Sequence, residues 1–227
     1  MDSPEVRSRS IEDYLKTIFT LEEEHGGAVT TSRLAERLGL APSSVSGMVK
    51  KLANEQLLHH RPYAGVTLTD SGRTAALRMV RRHRLIELFL IAHLGYRWDE
   101  VHDEAETLEH AVSDRLIERM DAALGQPRFD PHGDPIPSAD GRLPTLDVRR
   151  LDELEPGTAG ILLRVDDRDP DMLRHLTALG IELGQTLQVK QVLPFDGGLQ
   201  ISTPDGQLHL LPQLVTRALW VNTQTTS

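Results

Sequence analysis

Arg81-Arg82-His83-Arg84-Leu85-Ile86-Glu87, an apolar run to Leu94, and then His102-Asp103-Glu104-Ala105-Glu106-Thr107-Leu108-Glu109-His110 make up the stretch around which the rest of the chain is organised. On a helix turning about 100° per residue, His102, Glu106, Glu109 and His110 fall within an arc of roughly 100°, beside the apolar stripe Val101, Ala105, Leu108 and Val112. Four side chains able to hold a cation thus share one edge. His83 and Glu87 form an i,i+4 pair whose neighbours in helical phase are Val80, Leu90, Ile91 and Leu94. A histidine and a carboxylate on so apolar a face need partners, and a divalent cation would satisfy both. The competing reading of residues 99–109 is a solvated acidic face, a role that suits Asp103 and Glu104, which point about 100–200° away from His102.

The helix holding His83 grows steadily more apolar between Asp70 and Leu94. An almost all-round apolar end must be buried, which predicts a dimer interface built here and on the helices of 100–124. Upstream, Thr30-Thr31-Ser32 opens a short helix closed by Gly39, and Ala41-Pro42-Ser43-Ser44 opens a second that carries Lys50 and Lys51. Two short helices joined at a glycine form a helix-turn-helix, packed through Leu34, Ala35, Leu38, Val45 and Leu52. Pro42 and small hydroxyl residues at the second helix start permit close approach to a DNA groove. Residues 57–69, from Leu57 through His59, His60, Arg61, Tyr63 and Gly65 to Thr69, read as two strands around a basic turn, the wing of a winged helix. Adjacent His59 and His60 point to opposite faces of a strand, so both read as solvated wing residues.

Earlier still, Ser10 reads as the N-cap of a helix over 10–24 with the stripe Ile11, Leu15, Ile18 and Phe19. Asp13, three residues after Ser10, reads first as a capping-box carboxylate, in a near-terminal place from which it can also reach a neighbouring helix. Downstream, Gly125, Pro127, Pro131, Pro135, Pro137 and Pro144 mark a linker. Beyond it, runs at 159–165, 186–192, 198–203, 208–211 and 218–221 alternate with glycine-bearing turns, with one short helix from Pro170 to Leu179, as in a small, partly open β-barrel.

Charge is divided along the chain. The net formal charge is −9, yet residues 30–90 carry ten basic against four acidic side chains, and residues 91–160 seven against sixteen. That division is expected if the first segment faces phosphates and the second faces cations. Cysteine is absent, which excludes disulfides, thiolate ligands and iron–sulfur clusters and leaves His, carboxylate, Met or backbone oxygen to hold a metal. No window approaches the apolar length needed to cross a bilayer, and Met1-Asp2-Ser3-Pro4-Glu5 lacks the basic and apolar regions of a signal peptide, so a soluble cytoplasmic protein is expected.

With these segments in place, the chain resembles the diphtheria toxin repressor family of metal-activated transcription factors, including its manganese transport regulator branch. The winged helix, His83-Arg84-Leu85-Ile86-Glu87, Val101-His102-Asp103-Glu104-Ala105, Glu109-His110, Asp134-Pro135-Ile136-Pro137 and the β-rich tail carry the resemblance over nearly the whole length. It implies an α+β multidomain fold: a winged helix-turn-helix over 1–72, a helical metal-binding and dimerisation domain over 73–125, a proline-rich linker over 126–146 and an SH3-like domain over 147–227. It also implies an activating metal site of Asp13, Glu106, Glu109 and His110 and a second site of His83, Glu87 and His102. Asp169 is expected to lend that second site a carboxylate from the SH3-like domain, with Asp171 the alternative.

Iron-responsive relatives carry Met and Cys where Asp13 and Glu106 stand. Two carboxylates there, as in the manganese regulators, suit a hard cation such as Mn²⁺, although Fe²⁺ binds the same donors. Lys16 stands where those regulators have a further glutamate, which argues against a closely spaced pair of metals. The resemblance implies a homodimer that binds a palindromic double-stranded operator, with no membrane and no organic cofactor. Pro42, Ser43, Ser44 and Ser46 would face bases, and Arg33, Lys50, Lys51 and Arg61 would face phosphates. A metallohydrolase is disfavoured by the lack of a His-Glu-x-x-His motif and of a nucleophile outside the cluster, so the expectation is a protein that is not an enzyme. The remaining alternatives are an iron-responsive regulator of the same family and a winged-helix regulator that senses an organic ligand.

Overall fold

The first helix begins earlier than Ser10 predicts. The structure, a computed structural model, describes residues 4–61, 64–195 and 197–223, and the side chains from residue 9 onward. In it α1 spans Pro4–His25. Proline is tolerated at the start of a helix, where its missing N–H would have no intrahelical partner. Ser10 therefore lies inside the helix and does not cap it, which removes the capping-box role from Asp13.

The described chain divides into two compact units, one running up to His83 and taking in Pro137–Arg142, the other made of Arg84–Ile136 and the chain from Leu143 onward. In the first unit α1 buries Tyr14, Leu15, Ile18, Phe19 and Leu21. Helix α2 (Thr31–Leu38) starts where Thr30 Oγ1 accepts from Arg33 N at 3.3 Å and stops at Gly39, whose φ of 63° is left-handed. Helix α3 (Pro42–Asn54) opens on its proline, and Leu34, Val45, Val49 and Leu52 are fully buried. Strands β1 (Leu58–Arg61) and β2 (Gly65–Leu68) pair antiparallel with Arg61 opposite Gly65. Val29 exchanges hydrogen bonds with Val66 at 2.8 and 2.9 Å. That close approach explains Gly65: its φ is +90°, and a Cβ there would sit 2.6 Å from Val29 O. Tyr63, expected in the wing, lies outside the described residues, as do Met1, Asp2 and Ser3. Helix α4 (Asp70–Leu94) has the expected bounds. Arg81 Nη1 donates to Pro137 O at 2.7 Å, holding the 137–142 segment in this unit.

In the second unit Leu85, Ile86 and Leu90 of α4 form a small core with Val101 and Ala105 of α5 (Val101–Leu108), Ile117 of α6 (Asp114–Ala123) and Ile136. A larger core fills a six-stranded antiparallel sheet in the order β3-β8-β4-β5-β6-β7. These strands are β3 (Arg149–Arg150), β4 (Ala159–Val165), β5 (Thr186–Val192), β6 (Leu199–Ser202), β7 (Leu208–Leu211) and β8 (Leu219–Asn222). Helix α7 (Pro170–Ala178) contributes Leu173 and Leu176 to that core, and a short α8 (Gln213–Thr216) contributes Val215. Leu162, Val165, Leu187, Val189, Ile201, Leu211, Leu219 and Val221 are buried in the sheet's core, the side on which most of its apolar side chains fall. Among the described residues no helix is long and apolar enough to cross a membrane.

Residues 128–136, read from their prolines as linker, form a packed loop. Asp130 N donates to Asp134 O at 3.0 Å and Ile136 N to Arg128 O at 2.8 Å. Asp130, His132, Asp134 and Ile136 are buried. The prolines set φ but leave the other backbone groups free to pair, and here they pair within the loop and with β4.

Candidate metal centre

Helix α5 stops at Leu108, so Glu109 ends it and His110 lies in the following turn. The single long helical edge expected for His102, Glu106, Glu109 and His110 is therefore broken. Glu109 N still donates to Ala105 O at 2.9 Å, and its carboxylate is fully buried, with His110 Nε2 3.7 Å from Oε1. Glu106 is exposed, its nearer oxygen 3.9 Å from His102 Nε2. Asp13 is half-buried on α1 in the other unit. His83, one turn before Glu87 on α4, is buried and lies 3.0 Å by Nδ1 from Lys16 Nζ.

The second unit assembles a tighter set. His102 Nδ1 is 3.4 Å from Glu87 Oε1 and 3.3 Å from Asp167 Oδ2. His132 Nδ1 lies 4.0 Å from Glu87 Oε2 and 3.8 Å from Asp167 Oδ2. Glu87 and His132 are fully buried. Burial alone would lower the His102 pKa, but the carboxylates of Asp167 and Glu87 outweigh it and push it up to about 10. For His132 burial is likewise outweighed by Glu87, Asp167 and Asp130, and its pKa is raised. Burial, with Asp134 and Glu87 nearby, pushes the Asp130 carboxyl up. The carboxylates thus face two imidazoles, of which His102 is held protonated. Such a donor set, buried and mixed in oxygen and nitrogen, fits a divalent cation.

Asp169 stands elsewhere. Its Oδ1 accepts from Asp171 N at 2.9 Å and Met172 N at 3.3 Å, capping α7 just ahead of Pro170. Asp171 instead accepts from Arg174 at 2.6 Å. The carboxylate that the sheet domain brings to His102 is Asp167, two residues before the cap. Asp166, Asp167, Asp169 and Asp171 fall within six positions, and residue type alone does not choose among them. His132 was also missed. Its signal was a histidine between proline and glycine in Asp130-Pro131-His132-Gly133-Asp134, a turn-forming run with an acid at each end.

On the first unit, Pro42, Ser43, Ser44, Ser46 and Lys50 are exposed on α3, as are Arg33 on α2 and Arg61 at the end of β1. Ser46 Oγ donates to Pro42 O at 2.9 Å, and Lys51 is half-buried, 4.0 Å from Glu55. Exposed small hydroxyls and Lys50 on one short helix, with Arg33 and Arg61 exposed on neighbouring elements, suit a duplex groove flanked by phosphates.

Comparison with known proteins agrees with both halves of this geometry. Three family models match: "Iron dependent repressor, N-terminal DNA binding domain" over residues 7–66, "Iron dependent repressor, metal binding and dimerisation domain" over 69–138, and "FeoA domain" over 149–223. The iron-dependent repressor IdeR of Mycobacterium tuberculosis is 32% identical over 222 residues, 92% of this chain and 95% of that protein. The diphtheria toxin repressor of Corynebacterium diphtheriae is 34% identical over 206 residues, 88% and 87% of the two chains. A solved structure of a manganese-dependent transcriptional repressor in complex with manganese superposes with a TM-score of 0.90 at 50% identity, over 94% of this chain and 99% of that one.

Proposed function

The chain belongs to the diphtheria toxin repressor family of iron-dependent repressors, and from that premise we propose that it is a Mn²⁺-responsive repressor whose homodimer binds a palindromic operator when loaded with metal. The observation that carries the reading is the presence in one chain of an exposed helix face at Pro42–Lys50, of small hydroxyls ending in Lys50, and a buried set of histidines and carboxylates around Glu87 and Glu109. Asp13, Glu106, Glu109 and His110 would hold the activating ion, and Glu87, His102 and Asp167, with His83 one turn earlier, would hold a second. When bound, the metal supplies positive charge that neutralises these carboxylates.

Asp13 comes from the unit that carries the reading head, and Glu106, Glu109 and His110 come from the unit that carries α5 and α6. Ligands drawn from two bodies couple the placement of one to the other, and that coupling would set the spacing of two reading heads on an inverted repeat. Leu94 and Leu116 are exposed apolar side chains beside the helical core, available to a second copy. Pro42, Ser43, Ser44 and Ser46 would approach base edges, while Arg33, Lys50, Lys51 and Arg61 would neutralise phosphates. Oxygen-rich donors and the absence of cysteine favour Mn²⁺, with Fe²⁺ able to use the same ligands. Nothing in this role calls for catalysis.

The test is operator affinity by fluorescence anisotropy with and without Mn²⁺. Binding should tighten on the order of 100-fold with metal, near the upper end of ordinary coupling energies. Equal affinity in both conditions removes metal activation. Should Glu106→Ala leave DNA binding unchanged while an organic effector alters it, the acidic helix is only a solvated face.

A further inference from the structure

We infer that Glu22 is a positioning residue for operator recognition: it passes the placement of α1, the helix that carries Asp13, to the wing and to the end of the recognition helix α3. This deepens the metal-dependent reading above and rests on it. The last turn of α1 holds three acids in a row, Glu22-Glu23-Glu24. A helix C-terminus carries partial negative charge, so acids there cost stability unless each finds a partner. Each does, on a different element of the same unit. Glu24 accepts from Arg37 of α2 at 2.7 and 3.3 Å. Glu23 accepts from Arg73 of α4 at 3.1 Å. Glu22 Oε1 accepts at 2.8 Å from the backbone N of Leu68, the last residue of β2, and Arg73 lies 3.7 Å from its other oxygen.

Glu22 differs from its neighbour in what it holds. Its side chain is 14% exposed against 52% for Glu23, and burial pushes its carboxyl pKa up against the Leu68 N–H and Arg73, so a charge kept there is costly. An arginine side chain can swing to follow a carboxylate, whereas a backbone N–H moves only with its strand. β2 is paired with β1 along its whole length, Leu68 facing Leu58, so a displacement of Glu22 is handed to the wing as one piece. From Leu68 the connections continue to α3. Thr69 N donates to Leu57 O at 3.1 Å, and Thr69 Oγ1 and Ser71 Oγ both donate to Gln56 O, at 2.8 and 3.0 Å. Leu57 N in turn donates at 2.9 Å to Leu52 O in the last turn of α3. Gly72 leaves no slack in this joint, because a Cβ there would sit 2.0 Å from Leu57 O.

Along α1, Asp13 and Glu22 have the separation and phase of a lever. Nine positions on a helix amount to about 14 Å along the axis and about 180° around it. Asp13 and Glu22 therefore occupy opposite sides of one stiff element, and a cation that fixes Asp13 also fixes where Glu22 is presented. The start of α4 is tied to the same turn, since Arg73 meets both Glu22 and Glu23 and its guanidinium lies 5.0 Å from the Phe19 ring centroid. Metal held at Asp13 would thus order the wing and α3 through one hydrogen bond, and losing that bond would uncouple metal from DNA without removing a ligand of either.

Experiments on the full chain separate coupling from mere support. Metal-free melting curves first establish that Glu22→Ala folds; Glu22→Leu, which fills the same space without an acceptor, takes its place if it does not. Mn²⁺ binding without DNA is read from the electron paramagnetic resonance of the free ion, and operator affinity from fluorescence anisotropy with and without Mn²⁺. The Glu22 variant should bind Mn²⁺, and the operator in the absence of metal, within about twofold of wild type, while the Mn²⁺ stimulation of operator binding falls by at least about tenfold. Glu23→Ala removes the same charge from the same turn and should leave the stimulation unchanged. Stimulation that survives in a folded Glu22 variant means that the apolar core alone carries α1 to the wing. Operator affinity lost equally with and without Mn²⁺ means that Glu22 only supports the fold, and an equal loss in Glu23→Ala means that charge alone matters. Each of these three results overturns the assignment and leaves metal activation standing. A wild-type chain whose operator binding is indifferent to Mn²⁺ overturns both.

Discussion

Glu87, His102, His132 and Asp167 come from four segments of one compact unit, whereas Asp13 belongs to one unit and Glu106, Glu109 and His110 to the other. The difference is thermodynamic. Ligands held together by one folded body are ordered before a cation arrives, so binding there reports little beyond its own contacts. On the proposed reading, ligands supplied by two units would be brought to one geometry by binding, and the free energy of doing so would be what is passed to DNA. The two sets should therefore fail in different ways. Glu109→Ala should abolish the Mn²⁺ stimulation of operator binding, a loss on the order of 100-fold, while Glu87→Ala should cost about tenfold. Anisotropy titrations at fixed Mn²⁺ check both, with metal-free melting curves to confirm folding. Equal losses from the two variants would break the division between a coupling site and a preassembled one.

The helices and strands were largely legible, because period and turn chemistry are local. The steady rise in apolar residues from Asp70 to Leu94 gave α4 its bounds, and the runs at 159–165 and 186–192 coincide with β4 and β5. Local reasoning went astray where two local signals competed. Ser10 and Asp13 look like a cap and its box, but Pro4 had already opened the helix. Prolines between 127 and 137 signal a loop, and they could not say that its remaining N–H and carbonyl groups would be satisfied inside the protein. The site was legible only where its members sit on periodic elements, as Glu87 and His102 do. His132 and Asp167 come near Glu87 and His102 from loops, where no period fixes a direction, and their placement is decided by the Gly133 turn and by the end of β4.

Proton competition sharpens the comparison further. In the metal-free chain the His102 pKa, raised to about 10 from 6.5, means an imidazolium clamped between Glu87 and Asp167. A folded-state value above the unfolded one stabilises fully below pH 6.5, and that contribution is lost as pH rises through about 10. Cation binding runs the opposite way, because Nδ1 must give up its proton to become a ligand. Mn²⁺ affinity at this cluster should therefore rise across the same window, by at most about tenfold per pH unit for each proton released. Calorimetry at pH 7.5 in two buffers of unequal ionisation heat counts those protons. The wild-type chain should release close to one more than His102→Gln, and identical counts would mean that His102 does not exchange a proton for metal.

The smallest expected effect separates two neighbouring acids. Asp169 is exposed and spends its carboxylate on the backbone N–H groups of Asp171 and Met172 at the start of α7, so replacing it removes a helix cap. Asp169→Ala should lower stability by about 1 kcal/mol, the usual cost of a lost N-cap, and leave the Mn²⁺ titration where it was. Asp167 is half-buried against both His102 and His132, so Asp167→Ala should weaken Mn²⁺ binding by at least about tenfold, as expected when a ligand or its immediate support is lost. The two variants differ by two positions on one loop and carry the same change in charge, so long-range electrostatics alters both alike and cancels in the comparison. A weakened titration for Asp169→Ala and an unchanged one for Asp167→Ala would mean that the loop after β4 rearranges around the metal to present the capping residue, and that the preassembled set is not the one the metal-free geometry displays.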